Sequence, residues 1–411
     1  MKIKNKTILI IGAGVEACEG IKIAKSMGLS LIIADGNDKA PGFSMADWKI
    51  IASTYDGEEI LKKTKNLIDE GVQVHGVMAM CADVPLSVAI ISNALQLPGL
   101  SIQSAIWVSD KLKMKERLKS EGIPIPNFAD VSDKSTLLVK ANEIGFPLII
   151  KPVDSRGARG VQLIESASQL TEAWTISANE SPTSRVMIEE YLEGPQFSTE
   201  TLIDNKKCYT LGFADRNYEW LEKTKPFIIE NGGDSPTAVN DSIKNEIISV
   251  VEKAALALGI NSGVAKGDMV YTNKGAKVIE IAGRLSGGYF STTQIPLATG
   301  VNFVYHAIKI ALGERINKSE VTPQYHNAVA IRYLTLPEGK VKRISGISNA
   351  EKAPGVEMLK IFIQEGSNVG SISNHTQRSG FVIATANDKY TAIKNANDAL
   401  SMIKVEYTTN E

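Results

Sequence analysis

The chain lacks the sequence features that mark secreted, membrane or nucleic-acid-binding proteins. Its three cysteines, Cys18, Cys81 and Cys208, are scattered and odd in number, so neither a disulfide framework nor a zinc site is expected. A net charge of −1 over 411 residues gives no reason to expect nucleic acid or an anionic membrane as a partner. No apolar run reaches the roughly 18–20 residues of a transmembrane helix. Together these absences point to the reducing environment of the cytoplasm.

The first part of the chain alternates strand and helix patterns. Apolar runs at Thr7–Ile11, Leu29–Ala34 and Gly76–Met80 predict strands, and an amphipathic helix is expected across Glu16–Met27. This rhythm is typical of a doubly wound parallel sheet. The length of the chain suits about two to four domains. We expect the alternating part, residues 1–110, to form one of them, a Rossmann-like domain.

Beyond Lys111 the pattern changes to α+β, with strands expected to pair mainly in antiparallel fashion. The predicted strands of this part are Pro147–Val153, Gly160–Ile164, Arg185–Glu190, Phe197–Ile203, Cys208–Phe213, Phe227–Ile229 and the hairpin Asp268–Ala282. From about Val321 a last segment predicts the strands Asn327–Thr335, Val341–Ile344, Val356–Gln364 and Phe381–Ala386, and a helix across Lys389–Ile403. The expected fold class is therefore α/β plus α+β.

The most informative feature is the hairpin Asp268–Ala282. If its loop has three residues, Asn273-Lys274-Gly275, then Asp268 faces Glu280 on one side of the ladder. Like charges directly opposite each other are destabilising. A hard cation such as Mg²⁺ between the two carboxylates would remove that repulsion. The alternatives are an exposed hairpin whose acids never meet, or a register shifted by one residue.

A second feature runs from Lys151 to Val161, where a lysine at a strand end precedes a small, Gly-rich turn and a returning strand. Backbone amides of such a turn can surround phosphate oxygens, and Lys151 supplies a point charge. No Gly-Lys-Ser/Thr opens a helix here, so the segment is not a P-loop. The alternative is a tight hairpin with surface arginines.

Two further segments fit a nucleotide site. The apolar strand ending at Glu190 leads through Leu192 into an acidic bend, which suits an adenine pocket, although an ordinary strand end has the same pattern. Past Glu280, Arg284 is placed to stabilise a transferring phosphoryl group. The amides of the turn Ser286-Gly287-Gly288 can bind a substrate carboxylate.

The turn Gly12-Ala13-Gly14, with Asp35 about twenty residues later, nearly matches a dinucleotide fingerprint. The same turn could hold a small substrate through Gly14 and Glu16, or could simply join strand and helix. Further candidate substrate contacts are Asp83, the segment Glu230–Pro236 interpreted as a polar loop, and Arg332. For each of these a surface position is the alternative, and none identifies a substrate.

Taken in this order, the motifs resemble the ATP-grasp superfamily over nearly the whole chain. They are the Rossmann-like front domain, Asp110-Lys111, Lys151-Pro152 with the Gly-rich loop, Glu189-Glu190-Tyr191-Leu192, and Asp268 followed by Glu280 and Arg284. The resemblance implies a pre-ATP-grasp domain at 1–110 and a small lobe at 111–185. It also implies a large lobe at 186–320 and a C-terminal α+β subdomain at 321–411.

The resemblance implies a role for each matching position. Lys111 is similar to the lysine that reaches the α-phosphate, and Lys151 to the one on the α- and β-phosphates. Asp268 and Glu280 resemble ligands of Mg²⁺, for which Mn²⁺ can substitute, and Arg284 resembles the residue that steadies the γ-phosphate and an acyl phosphate. The other ATP contacts implied are Ser155, Arg156, Gly157, Arg159, Gly160 and Val161 in the mobile loop, and Glu189, Glu190, Leu192 and Gln196 around the adenosine.

Two positions depart from the family's pattern. Ala282 stands where many members place a metal-binding Asn, so a second Mg²⁺ would depend on Glu280 as a bridge. Gln196 stands where many members have a ribose-binding Glu. The run from Glu280 to Gly288 and the segment Pro354-Gly355-Val356 look most like the L-amino acid ligases. That likeness implies attack of a carboxylate on the γ-phosphate of ATP, giving an acyl phosphate that an amine then converts to an amide.

Other functions remain open at this point. The nearest is a different ATP-grasp chemistry, such as bicarbonate activation as in biotin carboxylases, carbamoyl phosphate synthesis, or formate transfer in nucleotide synthesis. A non-catalytic ATP sensor and an NAD-dependent oxidoreductase built on the first domain are the others. The expected partners are a small-molecule carboxylate and amine, without nucleic acid or membrane, and a homodimer is common among relatives.

Overall fold

The structure is a computed structural model that describes residues 4–408. Residues 1–3 and 409–411, which belong to the predicted domains 1–110 and 321–411, lie outside the described part. Its front domain is a parallel sheet of four strands in the order β3-β2-β1-β4. The strands are β1 (Thr7–Ile11), β2 (Ser30–Asp35), β3 (Trp48–Ile51) and β4 (Gly76–Ala79), and the helices are α1 (Ala17–Ser26), α2 (Gly57–Asp69) and α3 (Pro85–Ala94).

The front sheet confirms the strand–helix alternation expected from the sequence. All five residues of β1 are buried, because helices cover both faces of a parallel sheet. Strand β3 was not predicted, since Lys49 interrupts its short apolar run. Two helices then lead into the next lobe, α4 (Ile102–Ser109) and α5 (Lys111–Ser120). The side chain of Asp110 caps α5 by accepting from the Lys113 amide, which places Lys111 at the first turn.

The small lobe is a four-stranded antiparallel sheet in the order β5-β8-β6-β7, covered on one side by two helices. Its strands are β5 (Phe128–Asp130), β6 (Leu148–Pro152), β7 (Gln162–Ile164) and β8 (Val186–Glu190), and its helices are α6 (Leu137–Ile144) and α7 (Leu170–Asn179). Since β6 and β8 are neighbours, Lys151 and Glu189 lie close together on adjacent strands.

A large antiparallel sheet follows, with eight strands in the order β13-β12-β9-β10-β11-β14-β18-β16. Its first strands along the chain are β9 (Gln196–Asp204), β10 (Lys207–Asn217), β11 (Gly232–Ser235), β12 (Gly263–Thr272), β13 (Gly275–Ala282) and β14 (Ala328–Leu334). The helices between them are α8 (Leu221–Thr224), α9 (Asp241–Ala257), α10 (Ile295–Thr299) and α11 (Phe303–Ala311).

The C-terminal segment shares this sheet. Its elements are β15 (Gly339–Ser345), β16 (Val356–Ile361), β17 (Asn368–Val369), β18 (Gly380–Ala386), β19 (Lys404–Tyr407), α12 (Ile347–Glu351) and α13 (Lys389–Met402). Strands β14, β18 and β16 continue the large sheet beyond β11, while β17, β15 and β19 form a small separate sheet. Main-chain hydrogen bonding is therefore continuous across residue 320, and the domain division predicted there stays a prediction.

Three local predictions were wrong. The hairpin turn contains only Asn273 and Lys274, because Thr272 pairs with Gly275. Residues 227–229 form no strand and contribute only an isolated bridge from Phe227 to Gln162. The segment 230–236, expected to be a polar loop, contains β11, whose glycines fit close against the neighbouring strands, as an added Cβ at Gly232 would meet the Ile331 carbonyl at 2.5 Å.

Within residues 4–408, no helix is long and apolar enough to cross a membrane. The three cysteines are all free thiols of intermediate exposure.

Candidate active site

One cavity of about 730 Å³ lies where the front domain, the small lobe and the large sheet meet. It brings together most of the candidate residues from the sequence. The candidates that line it are Glu16, Asp83, Lys111, Lys151, Ser155, Arg156, Gly157, Arg159, Val161, Glu189, Glu190, Leu192, Gln196, Glu230, Asp268, Glu280, Arg284, Ser286, Gly287 and Gly288. Gly14, Gly160 and Arg332 lie outside this lining, and Arg332 is buried in an ion pair with Asp234 at 2.7 Å.

A buried carboxylate holds two lysines at the small-lobe side of the cavity. The Nζ of Lys151 lies 2.5 Å from Oε1 of Glu189, and the Nζ of Lys115 lies 3.1 Å from Oε2. Burial alone would raise the pKa of Glu189, but the ammonium groups of Lys115 and Lys151 outweigh it and hold the pKa below its ordinary value. Burial lowers the pKa of Lys115 to about 8. Glu189, expected at the adenine, therefore has its charge engaged by lysines.

Lys115 was missed by the sequence analysis, although its spacing gives a signal. It lies four residues after Lys111 on α5, so both side chains project from the same face of the helix. Lys111 lines the cavity, and its Nζ donates to the Ser155 carbonyl at 2.7 Å. The same Nζ is 3.4 Å from Oε1 of Glu280, so Lys111 links the Gly-rich loop to the carboxylate pair.

The Gly-rich loop folds tightly over the cavity. Gly157, Ala158 and Gly160 all have positive φ, at 66°, 59° and 69°. Only glycine suits residue 160, because an added Cβ would lie 2.9 Å from Pro152 and 3.0 Å from Glu180. The loop also meets the C-terminal segment, where the His375 amide donates to the Gly157 carbonyl at 2.9 Å.

Asp83 from the front domain joins two arginines of different lobes. Its oxygens lie 3.5 Å from Nε of Arg156 in the loop and 3.5 Å from Nε of Arg284 in the large lobe. Burial alone would raise the pKa of Asp83, but these arginines and Lys111 outweigh it and lower the pKa. Arg156 also stacks on Tyr55, with 4.6 Å from Cζ to the ring centroid. The front domain thus holds the loop against the large lobe.

Asp268 and Glu280 are directly opposed across the hairpin, as the sequence predicted. Oδ1 of Asp268 contacts two cationic side chains. Nη1 of Arg216 lies 2.9 Å from it, and Nζ of Lys266 lies closer. Burial alone would raise the pKa of Asp268, but Arg216 and Lys266 outweigh it and hold the pKa far below its usual range. The carboxylate is therefore ionised at neutral pH.

The donor set fits a magnesium ion. Two hard carboxylate oxygens from Asp268 and Glu280 are the number that Mg²⁺ commonly takes from protein when phosphates and waters complete its shell. Among residues 4–408, no cluster of three or more His, Cys, Asp or Glu side chains is arranged to hold a metal by itself. Lys266 pairs directly with Ala282 in the ladder, so an ammonium group lies beside the position where many members of the resembled family place an Asn ligand.

The turn Ser286-Gly287-Gly288 is held by two carboxylates. The Ser286 amide donates to Oε1 of the buried Glu200 at 2.8 Å, and the Ser291 hydroxyl donates to the same oxygen at 2.5 Å. Burial raises the pKa of Glu200 to about 7, although these hydrogen bonds oppose the shift. The Gly288 amide faces Glu16 at 3.3 Å. Glu16 thus occupies one amide that was expected to bind a substrate carboxylate.

The turn Gly12-Ala13-Gly14 after β1 is bound by a side chain of the protein itself. One oxygen of Asp35 accepts from the Ala13 amide at 2.7 Å, and the other accepts from Asn37 at 2.9 Å. In a dinucleotide site this carboxylate would face a ribose. Its engagement with the turn favours a structural role for Asp35.

Several lining residues were not recognised from the sequence. Lys266 could have been recognised, because it precedes Asp268 by two and residues two apart on a strand share a face. Arg216, Tyr333, His375 and Arg378 come from separate strands and from the C-terminal segment, and only the tertiary structure brings them to the cavity.

Comparisons with known proteins agree with this architecture. Residues 108–288 match the model of the ATP-grasp domain, and residues 332–408 match that of L-amino acid ligase C-terminal domain 2. The chain is 24% identical over 321 residues to an L-arginine-specific L-amino acid ligase of Bacillus subtilis, covering 76% of this chain and 74% of the relative. It is 25% identical over 335 residues to the uncharacterized protein y4rH of Sinorhizobium fredii, covering 79% of this chain but 66% of that protein, just under two thirds.

A solved structure gives the same picture of the fold. The L-amino acid ligase of Bacillus licheniformis superimposes with a TM-score of 0.84, covering 99% of this chain and 100% of that one, at 20% identity. The fold is thus shared over almost the full length of both chains.

Proposed function

The chain belongs to the ATP-grasp superfamily, in its L-amino acid ligase branch, and from that premise we propose that it joins a carboxylate to an amine through an acyl phosphate. ATP would be cleaved to ADP and phosphate, and an amide bond would form. The observation that carries the proposal is that the opposed pair Asp268–Glu280 shares one cavity with Lys111, Lys151 and Arg284. These groups combine a magnesium-binding pair with the cations that a phosphoryl transfer needs.

The nucleotide half of the reaction would be organised by charge. Lys151 and Lys111 would bind the phosphates under the Gly-rich loop, and the strand end at Glu190 and Leu192 would hold the adenine. Asp268 and Glu280 would hold Mg²⁺, or Mn²⁺ in its place, which neutralises the charge of the phosphates. Asp268 would bring an ionised carboxylate to the ion.

The carboxylate substrate would react beside Arg284. Its oxygen attacks the γ-phosphorus, the bond to ADP breaks, and the acyl phosphate forms. The neutral amine nitrogen then attacks the acyl carbon, phosphate leaves with the original carboxylate oxygen, and the proton lost by the nitrogen balances as hydrogen phosphate. Burial alone would lower the pKa of Arg284, but Asp83 and Glu280 outweigh it and raise the pKa, so the guanidinium stays charged throughout.

Exclusion of water matters because an acyl phosphate hydrolyses. The Gly-rich loop, held by Asp83 and by the His375 amide, would close the cavity during the reaction. Positioning within a closed, charged cavity is the main catalytic device expected of this fold.

The test is ADP release over a matrix of carboxylates and amines, with bicarbonate and formate included. We expect ADP only when a carboxylate and an amine are both present, with a product whose mass is their sum less one water. ADP release that depends on bicarbonate and needs no amine would favour biotin-carboxylase-like chemistry. Tight ATP binding without ADP from any pair would favour a sensor.

Two broader expectations accompany this proposal. Three free thiols suit a reducing cytoplasm, which fractionation of the native cells would test. The homodimer expected from the resemblance stays a prediction, and light scattering of the purified chain would decide it.

A further inference from the structure

Lys115 is the most deeply buried lysine within residues 4–408, with 1% of its surface exposed. Its Nζ lies 3.1 Å from Oε2 of Glu189 and donates to the Val278 carbonyl at 3.4 Å. Lys151 and Glu189 line the cavity, whereas Lys115 does not. A ligand in the cavity therefore meets Lys151, and Lys115 acts on that ligand without touching it.

A single carboxylate lies between these two ammonium groups. Oε1 of Glu189 is 2.5 Å from the Nζ of Lys151, and Oε2 faces Lys115. All three side chains are at most 5% exposed, so solvent and salt screen their charges little. The three groups together carry one excess positive charge, where a simple ion pair would carry none. That excess favours an anion on the side of the group that faces the cavity.

The excess charge is available at Lys151 because Lys115 stays with Glu189. If Lys151 turns from Glu189 to a phosphate, Glu189 keeps Lys115 and is not left as an uncompensated buried carboxylate. Without Lys115, the same movement would break the last ion pair of Glu189. The other carboxylate that acts on Lys115 is Glu280, which lies 3.4 Å from Lys111 and therefore does not cancel the excess.

We propose that Lys115 is a positioning residue for nucleotide binding, because it neutralises Glu189 and so leaves the charge of Lys151 available to the phosphates. Lys115 itself contacts neither the nucleotide nor the substrates. The inference rests on the proposed function, which puts nucleotide phosphates at Lys151. It concerns the binding of those phosphates and not the later formation of the amide.

The charge of Lys115 can be removed by mild alkali. Burial lowers the pKa of Lys115 to about 8, reinforced by Lys151 on β6 and opposed by Glu189 on β8 and Glu280 on β13. Lys115 is therefore charged at pH 7 and loses its proton as the pH rises through about 8. Because bound phosphates favour the charged form, the affinity for the nucleotide should begin to fall there. An arginine in the same place stays charged and should prevent the fall.

Calorimetric titration of ADP with Mg²⁺, and of adenosine, at about pH 7 and about pH 9.5 tests this proposal. At the lower pH, Lys115→Met should bind ADP roughly tenfold or more weakly than wild type, with adenosine affected by under about twofold, because only ADP carries phosphates. At the higher pH the wild-type affinity for ADP should approach that of Lys115→Met, whose own affinity should change little. Lys113→Met, which removes an exposed lysine from the same helix, should behave as wild type at both pH values.

Lys115→Arg provides the rescue, since it should bind ADP as tightly at the higher pH as at the lower. If the larger side chain prevents folding, the comparison of wild type with Lys115→Met across the two pH values still decides the matter.

Three results would overturn the proposal. They are equal ADP affinities of wild type and Lys115→Met at the lower pH, an equal loss for adenosine and ADP, which would assign Lys115 a purely structural role, and a fall with pH that persists unchanged in Lys115→Met. Wild-type protein that binds no ADP would overturn both this proposal and the nucleotide site. Binding needs no turnover, so a chain that follows the expected ratios yet forms no amide would contradict the ligase function alone.

Discussion

Asp268 lies directly opposite Glu280 because Ile279 is an extra residue in the second strand of the hairpin. From the turn to Met269 the register follows a two-residue loop, with Met269 paired to Val278. The bulge at Ile279 then shifts the register by one and brings Glu280 to Asp268. Bulges often re-aim a side chain near an active site. The predicted pair is thus correct, although the three-residue loop from which it was derived is wrong.

The first prediction concerns the number of metal ions. Lys266 faces Ala282 and its ammonium contacts Asp268, so a fixed cation already lies where a second ion would need an Asn ligand. With a non-hydrolysable ATP analogue, we expect a single tightly bound Mn²⁺ per chain in an electron paramagnetic resonance titration. The double variant Lys266→Met/Ala282→Asn should gain a second site, whereas Ala282→Asn alone should not. Two tight sites in the wild type would contradict this.

The second prediction concerns the buried lysine pair. Glu189→Gln removes the carboxylate between Lys115 and Lys151 and leaves two buried ammonium groups without a counter-ion. We expect the free energy of unfolding in urea to fall by roughly 3–5 kcal/mol. Adding Lys115→Met should recover part of this loss, because one uncompensated charge is then absent. A loss of under about 1 kcal/mol for Glu189→Gln would show that the pair contributes little.

The sequence could predict this site only in part. Lys151 and Glu189 were recognisable because each lies in a strand with a motif. Lys115 could have been recognised from its i,i+4 spacing to Lys111. The place of Arg378 in the cavity could not be recognised, since it depends on a sheet that joins strands from distant parts of the chain.

The same limit applies to the fold. The front domain was predictable because its apolar strands are local and continuous, as in Thr7–Ile11. The extension of the large sheet through β14, β18 and β16 was not, because antiparallel neighbours far apart in sequence leave no periodic signal. Strand β11, with the sequence Gly-Gly-Asp-Ser, resembles a loop by composition and becomes a strand through its neighbours.

The third prediction is a pH dependence carried by Glu200. Its pKa in the folded protein is about 7, above the ordinary value of 4.5, so the folded state binds more protons between these values than the unfolded state does. This contribution to stability is complete below about pH 4.5 and is lost as the pH rises through 7, by roughly 3 kcal/mol in all. Glu200→Gln should flatten that part of the profile in urea denaturation at pH 5 and pH 7.5. The exposed Glu365→Gln should not, and equal slopes in wild type and Glu200→Gln would refute the assignment.

The fourth prediction concerns closure of the Gly-rich loop. Asp83→Asn removes the charge that holds Arg156 and Arg284 together, so the loop should open more often. We expect tryptic cleavage after Arg156 and Arg159 to become roughly fivefold faster, equivalent to about 1 kcal/mol of lost closure.

Tyr55→Phe provides the matched comparison for Asp83. It removes the hydroxyl that accepts from Arg156 but keeps the ring on which the guanidinium stacks. A smaller effect is therefore expected. Equal cleavage rates in wild type and Asp83→Asn would show that the loop is held elsewhere, for instance by its contact with His375.

We expect the substrate carboxylate to be activated as an acyl phosphate. With a carboxylate substrate labelled with ¹⁸O in both oxygens, we expect one ¹⁸O in the released phosphate, because the attacking oxygen leaves with phosphorus when the amine displaces it. Glu280→Gln should slow formation of labelled phosphate by roughly a hundredfold or more while leaving the thermal unfolding midpoint close to that of the wild type. Mass spectrometry of the phosphate decides the matter: phosphate with one ¹⁸O per amide formed supports the mechanism, and amide formed together with unlabelled phosphate contradicts it.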